Sequence, residues 1–337
     1  VALTLSSLPI VFGFSAYQHG YWLPMVVTEV ALVLSYIAAL TARYILEGRQ
    51  KRYIKSAFAQ YLSPIYIDEL IRNPERLKLG GERRTLSIFF SDLQGFSSFA
   101  EKIPPEDLTH FLNHYLSAMT EIIHDEGGTV DKYEGDAIIA FWNAPLDIPD
   151  HATKAVRAAL RCQEKLADMQ SELRQWVETE VVMRIGINTG KAVVGNMGSS
   201  DRFDYTMLGD AVNLAARLEG VNKQFGSTTL ISESTAQALD KGIPLRAVAT
   251  VTVFGRTEAV RIFEPLNSEV SAQRADDLTC FASGLEGFTL GDFAAAKSFF
   301  NQSAERDPVA QAYLKRCGQL LEESPAQWRG IWEVTEK

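Results

Sequence analysis

Two aspartates stand where a chain can hold a cation. Asp92 follows Leu86-Ser87-Ile88-Phe89-Phe90, a nearly unbroken apolar run of the kind a buried central strand carries. The turn Leu93-Gln94-Gly95-Phe96 comes directly after it. An acid at the tip of such a strand, beside a glycine turn that offers backbone N–H groups, suits a divalent cation and a phosphate. Asp136 lies in the stretch 129–142, which reads as a β-hairpin with Glu134-Gly135 at its turn and Asp136 at its tip. A lone turn aspartate is usually a cap or a solvated residue. Two of them, placed by strand, helix and hairpin in that order, favour a shared metal site. Farther on, Asn213 and Arg217 stand four residues apart on a helix predicted over 211–225, so both point to one side. An amide beside a guanidinium suits an anionic transition state, where the alternative is a solvated helix face.

These side chains need elements to position them. Pro104-Pro105-Glu106-Asp107 opens a helix with proline and acids in its first turn. Its apolar positions, among them Leu108, Phe111, Tyr115, Met119 and Ile122, keep a 3.6 period until Gly127-Gly128 stops it. A long amphipathic helix follows over 150–177. The strand 181–188 carries Arg184, and Gly190 is expected to turn it into a further strand over 192–197. Strands over 245–254 and 259–265 close the body.

The chain has 337 residues and a formal charge of -9, so it has no global basic field to attract nucleic acid. Cys162, Cys280 and Cys317 follow no metal-ligand spacing and read as reduced structural thiols. Residues 1–42 carry a single formal charge, Glu29, in two apolar runs separated by Gln18-His19-Gly20. The runs approach the roughly 20 residues of a membrane helix, with Tyr21, Trp22 and Tyr44 where an aromatic belt belongs. Arg43, Arg49, Lys51, Arg52 and Lys55 then place the remainder in the cytoplasm by the positive-inside rule. A buried helical hairpin or, for the first run, a leftover signal peptide is the competing reading. The expected organisation is two transmembrane helices (1–46), a juxtamembrane helix and linker (47–84), a catalytic domain (85–266) and a helical tail (267–337). The linker is either a transducer or a spacer. In the tail, Gly284, Ala294-Ala295-Ala296 and Asp307-Pro308 suggest one tetratricopeptide-type helix pair. One repeat cannot bury a continuous core alone, so it either packs on the catalytic body or meets a partner; a plain C-terminal helical cap is the alternative.

Four stretches in order resemble the catalytic domain of class III adenylate and guanylate cyclases. They are Phe90-Ser91-Asp92-Leu93-Gln94-Gly95-Phe96, Val130-Asp131-Lys132-Tyr133-Glu134-Gly135-Asp136, Arg184-Ile185-Gly186-Ile187-Asn188-Thr189-Gly190 and Tyr205-Thr206-Met207-Leu208-Gly209-Asp210-Ala211-Val212-Asn213-Leu214-Ala215-Ala216-Arg217-Leu218. The resemblance implies an α+β fold with a ferredoxin-like βαββαβ core, paired head to tail as a homodimer. It implies that Asp92 and Asp136, with the backbone at Leu93, bind two divalent cations, Mg2+ or Mn2+. Residues Leu93, Gln94, Gly95 and Phe96 would line the triphosphate, which Arg184 also contacts. Lys132 matches the lysine that recognises adenine, and Thr206 stands where the second base-reading residue belongs. Asn213 resembles the asparagine that orients the ribose, and Arg217 the arginine that stabilises the pentacovalent phosphate. Arg256 lies nearest the family's C-terminal phosphate lysine, although Val253-Phe254-Gly255-Arg256 departs from the lysine-rich pattern.

The implied reaction is conversion of ATP to 3′,5′-cyclic AMP and pyrophosphate. Three other readings compete with it. Family members that use GTP usually carry an acid where Lys132 stands. A diguanylate cyclase would need a Gly-Gly-Asp/Glu-Glu-Phe hairpin, which is absent. A degenerate binding or dimerisation module would have lost some of the polar residues that all remain here. The apolar hairpin, basic helix and Tyr61-Leu62-Ser63-Pro64 also resemble bacterial inner-membrane cyclases that carry a CHASE2 sensor upstream.

Overall fold

Along β1 (Gly80–Leu93) successive side chains enter different cores, as the period of two demands. Phe89 and Leu93 pack with helix α3 (Pro105–Asp125) and helix α4 (His151–Leu173) on one face of the sheet. Leu86 and Ile88 point to the other face, so the strand is buried on both sides. The computed structural model describes residues 11–22, 25–58, 79–199, 201–240, 242–252, 258–323 and 327–334. Two units, 1–68 and 69–337, divide the chain.

In the second unit a five-residue helix, α2 (Phe96–Ala100), separates β1 from α3. The hairpin β2 (Thr129–Glu134) and β3 (Ala137–Trp142) follows, then α4 and β4 (Met183–Gly198). Those four strands lie in the order β2-β3-β1-β4, every neighbour antiparallel, with α3 and α4 as crossovers. This is the expected βαββαβ arrangement. Next come β5 (Phe203–Leu208), α5 (Asp210–Phe225), β6 (Thr229–Ser232) and α6 (Glu233–Gln237). Strands β7 (Leu245–Thr252) and β8 (Val260–Pro265) complete the body; β5 pairs with β4, and β6 joins β4 to β8.

Gly190 does not turn the chain. β4 runs unbroken through it, and Gly190 sits opposite Leu86 in the β1 ladder. The glycines of β4 serve close approach instead. A Cβ on Gly186 would lie 2.2 Å from the backbone nitrogen of Glu219 and 2.4 Å from the carbonyl oxygen of Ala215, both in α5. One on Gly190 would lie 2.9 Å from the Ala211 Cβ. Glycine here lets α5 lie directly on the sheet.

The tail is three helices, α7 (Ser268–Gln273) apart: α8 (Ala275–Leu290), α9 (Phe293–Asn301) and α10 (Pro308–Glu323). It packs on the catalytic body. Phe281, Phe288, Phe300 and Tyr313 share one core with Leu218, Val221 and Phe225 of α5 and with Val248 and Val251 of β7. Tyr313 donates its hydroxyl to the Val248 carbonyl at 2.7 Å, and a two-residue strand, β9 (Trp332–Glu333), extends the sheet beside β7.

In the first unit, residues 11–18 are helical and α1 spans Met25–Phe58. Among the described residues, no helix is long and apolar enough to cross a membrane. The two expected transmembrane helices are therefore not borne out. α1 has Glu29 near its start and basic residues through its second half. Residues 1–10, most of the linker and Arg256 lie outside the described residues.

Gly186→Ala is expected to lower stability by about 1–3 kcal/mol, because the new methyl meets backbone that cannot rotate away. Gly220→Ala, where a Cβ meets nothing within 4 Å, is expected to stabilise α5 by about 0.5–1 kcal/mol. Urea unfolding of the two variants, moving in opposite directions, checks the packing of α5.

Candidate active site

Antiparallel pairing places Asp92 opposite Arg184, on the face that α5 covers. Arg184 Nη2 donates to Asp92 Oδ2 at 2.9 Å. Arg184 Nε also approaches Glu219 Oε1 of α5 at 2.9 Å. That approach is a charge contact whose angle does not make a hydrogen bond, and neither atom has one elsewhere. At the other edge of β1 the Leu93 N–H donates to Asp136 Oδ2 at 2.8 Å, tying the hairpin turn to the strand end. Gly135, at φ 68°, supplies the left-handed residue this turn needs. The two aspartates thus meet, as the spacing predicted.

Their charges are under strain. Burial, and then the neighbouring Asp92 carboxyl, push the Asp136 carboxyl up to about 7, while the Leu93 N–H pulls it back. Burial likewise raises Glu219 to about 7, with Arg184 opposing and Asp92 adding to the rise. A cation placed between Asp92 and Asp136 would relieve this. Their donors are hard carboxylate oxygens, few in number, as suits Mg2+ or Mn2+ completed by substrate phosphate. No group of three or more His, Cys, Asp or Glu that could hold a metal by itself occurs among the described residues. Of the backbone N–H groups expected to face phosphate, two are already engaged: Leu93 on Asp136, and Gln94 on the Val182 carbonyl at 2.8 Å. Gly95 and Phe96 open α2, with Gly95 at φ 72°.

A second cluster forms around Asp131. Between Val130 and Lys132 the register of β2 on β3 shifts, so Asp131 is the extra residue of a β-bulge. Its side chain is 3% exposed and accepts the Thr206 hydroxyl at 2.6 Å, reaching from β2 to β5. Lys132 Nζ stands 3.6 Å from the other carboxylate oxygen, an ion pair too long for a hydrogen bond. Lys132 and Thr206, predicted to act together, are brought together, and the residue that joins them was not singled out in the sequence. Glu219 was also missed. Each looks like an ordinary surface charge until its neighbour in space is known; the break in alternation at Asp131 was the only local sign.

Asn213 is exposed on α5, and Arg217 is half-buried with an Nη1 that is enclosed yet has no hydrogen-bond partner. Neither residue joins the Asp92–Arg184–Glu219 cluster. Glu219 is two residues beyond Arg217, about 160° around the helix. One α5 therefore presents Glu219 to Arg184 and Arg217 to the opposite side.

Fold and site together define an α+β domain in which two carboxylates meet at the end of a central strand, beside a paired arginine. Residues 81–263 match the family model described as the adenylate and guanylate cyclase catalytic domain, over half of the chain, and the chain belongs to that family. It is 33% identical over 82% of its length to the terminal-differentiation specific adenylate cyclase of Dictyostelium discoideum, of which it spans 13%. Among solved structures it is similar to the adenylyl cyclase CyaB from P. aeruginosa, with 34% identity, a TM-score of 0.53, and coverage of 56% of this chain and 97% of that one. The guanylyl cyclase Cya2 is similar to the same degree, with 34% identity, a TM-score of 0.52, and coverage of 56% and 94%.

Mn2+ is expected to raise the unfolding temperature of the parent protein by binding the folded state, and to do so far less in Asp92→Ala or Asp136→Ala. Thermal scans across a Mn2+ titration check this without reference to turnover. An equal rise in all three proteins would take both carboxylates out of the metal site.

Proposed function

We propose that the chain is an adenylate cyclase, converting ATP to 3′,5′-cyclic AMP and pyrophosphate at sites shared between two copies. The observation that carries the reading is the joined pair Asp92 and Asp136, together with Lys132 and Thr206 gathered on Asp131. The cations that Asp92, Asp136 and the Leu93 backbone would hold would supply activation of the ribose 3′-hydroxyl and neutralise charge on the phosphates. The 3′-oxygen attacks the α-phosphorus in line, a new P–O bond forms, and the bond to pyrophosphate breaks. Arg217 offers its unpartnered Nη1 to the charge that builds on the equatorial oxygens. Asn213 orients the ribose. Arg184 exchanges its hold on Asp92 for the triphosphate, and Arg256 adds a second phosphate contact. At the base, Lys132 donates to adenine N1 and Thr206 accepts from the exocyclic amine.

Two observations support the finer points. CyaB and Cya2 resemble the chain equally, so base choice rests on the pocket, where Lys132 favours adenine over guanine. Arg217 and the Asp92 cluster lie on opposite sides of α5, which supports a two-fold dimer in which each copy lends Asn213 and Arg217 to the acids of the other. We further propose a cytoplasmic catalytic body associated with the cell's inner membrane. Val30, Leu32, Val33, Leu34, Ile37 and Leu40, which α1 leaves exposed, and the basic run that follows support this. A sensor upstream would suit that arrangement.

Assay of the purified protein with ATP and GTP separately, with Mg2+ or Mn2+, is expected to yield cyclic AMP from ATP in clear excess over cyclic GMP. Preference for GTP, or linear products alone, would overturn the reading. For the dimer, Asp136→Ala and Asn213→Ala are each expected to be nearly inactive as homodimers. A purified mixed dimer contains one doubly damaged site and one intact site. It is expected to recover up to about half of the parental rate. Mixed dimers as inactive as their parents would rule out shared sites.

A further inference from the structure

A threonine hydroxyl has one proton to donate and lone pairs to accept. An ionised carboxylate can only accept. The 2.6 Å contact between Thr206 Oγ1 and Asp131 Oδ2 therefore fixes where the Thr206 proton lies: on the side of Asp131, away from any base in the pocket. What Thr206 has left to offer a base is an acceptor. Lys132, whose ammonium is drawn to the same carboxylate at 3.6 Å, can offer only donors. Resting on the adenylate reading above, we propose that Asp131 is the specificity-determining residue of the pocket, because it sets the hydrogen-bonding polarity of Thr206.

The pattern it imposes is a donor from Lys132 beside an acceptor from Thr206. Adenine presents the complement, an acceptor at N1 beside an exocyclic amine that donates. Guanine presents the reverse, a donor at N1–H beside the acceptor O6. If the Thr206 hydroxyl could rotate freely, it could donate to O6 and tolerate guanine. Tied to Asp131, it meets O6 lone pair to lone pair. The bulge explains how a side chain of β2 reaches this position: the extra residue breaks alternation and aims the carboxylate at β5. Burial raises the Asp131 carboxyl above its usual range, and the Thr206 hydroxyl and Lys132 ammonium draw it back toward the ionised form. Asp131 touches no substrate atom in this scheme and acts through Thr206.

The test is the ratio of kcat/KM for ATP to that for GTP, measured on the full chain. Asp131→Ala removes the acceptor and is expected to lower the ratio at least about tenfold, the worth of one misdirected hydrogen bond. Asp131→Asn can still accept the Thr206 proton on its amide oxygen and is expected to lower the ratio less. T206S, which keeps the hydroxyl, should retain the parental ratio, and T206V should lose it. Adding D131A to T206V should then change the ratio no further. For variants too slow to assay, the relative binding of 3′-deoxy-ATP and 3′-deoxy-GTP reads the same discrimination. Equal loss of ATP and GTP turnover in both Asp131 variants would reduce Asp131 to a packing residue and overturn the inference. So would a fall in the ratio that persists in the T206V background, since the effect would then run through Lys132. A parent that lacks any preference for ATP would sink the adenylate reading as well; an ATP-preferring parent with unchanged variants sinks this inference alone.

Discussion

The pairing of β1 with β4 is the constraint from which the rest of the site follows. The ladder runs from Gly80 opposite Asn196 to Leu93 opposite Met183, and it sets Asp92 directly across from Arg184. Because side chains alternate, a slip of one residue would send Asp92 to the α3–α4 face and seat Leu93 among charges. The apolar faces prevent that slip: Phe89 and Leu93 belong to one core, Leu86 and Ile88 to the other. The same ladder carries Gly186 into the place where α5 crosses. Thus one register decides where Asp92 stands and how close the helix bearing Asn213 and Arg217 can come.

Such a site is expensive to assemble. Asp92 and Glu219 share a single guanidinium, Asp136 stands beside Asp92, and the carboxyls of Asp136 and Glu219 are both raised to about 7. Packing holds them there against repulsion. The excess negative charge is itself what makes the place attractive to cations, and a cation held there would offset the mutual repulsion of the carboxylates.

Periodicity made much of this legible. β1 was readable as a short apolar run, the β2–β3 hairpin from its Glu134-Gly135 turn and α3 from its 3.6 period, and Asp92 and Asp136 could be placed from these elements. Gly190 was misread because a glycine inside a strand gives one local signal for two physical causes, a turn or the close approach of another backbone. Only the position of α5 separates them. Asp131 and Glu219 were illegible for a related reason: each is a charge whose meaning lies in a partner far along the chain, 75 residues away for Asp131. The apolar start of α1 was legible as composition, but composition does not say how an element ends, and this helix runs on into basic sequence.

The tail shows how far α5 depends on structure outside the cyclase core. Leu218, Val221 and Phe225, on the second half of α5, lie in the same aromatic cluster as Phe281, Phe288 and Tyr313. Trp332 stacks near Phe225, with ring centroids 4.7 Å apart, and donates its indole N–H to Gln224 at 2.9 Å. α5 is therefore held against the sheet at Gly186 and against the tail beyond it. The body in turn needs the tail for its charges. Arg246 of β7 is buried between Glu264 of β8 and Asp307, which precedes α10, and Arg274 adds a contact to Asp307 at 3.2 Å. Without Asp307, a guanidinium would be left buried with half its compensation, a cost of several kcal/mol. A tail that completes a buried ion network and a shared apolar core is part of the folding unit that orients Arg217, and helix pairs of this kind need not be docking modules for other proteins.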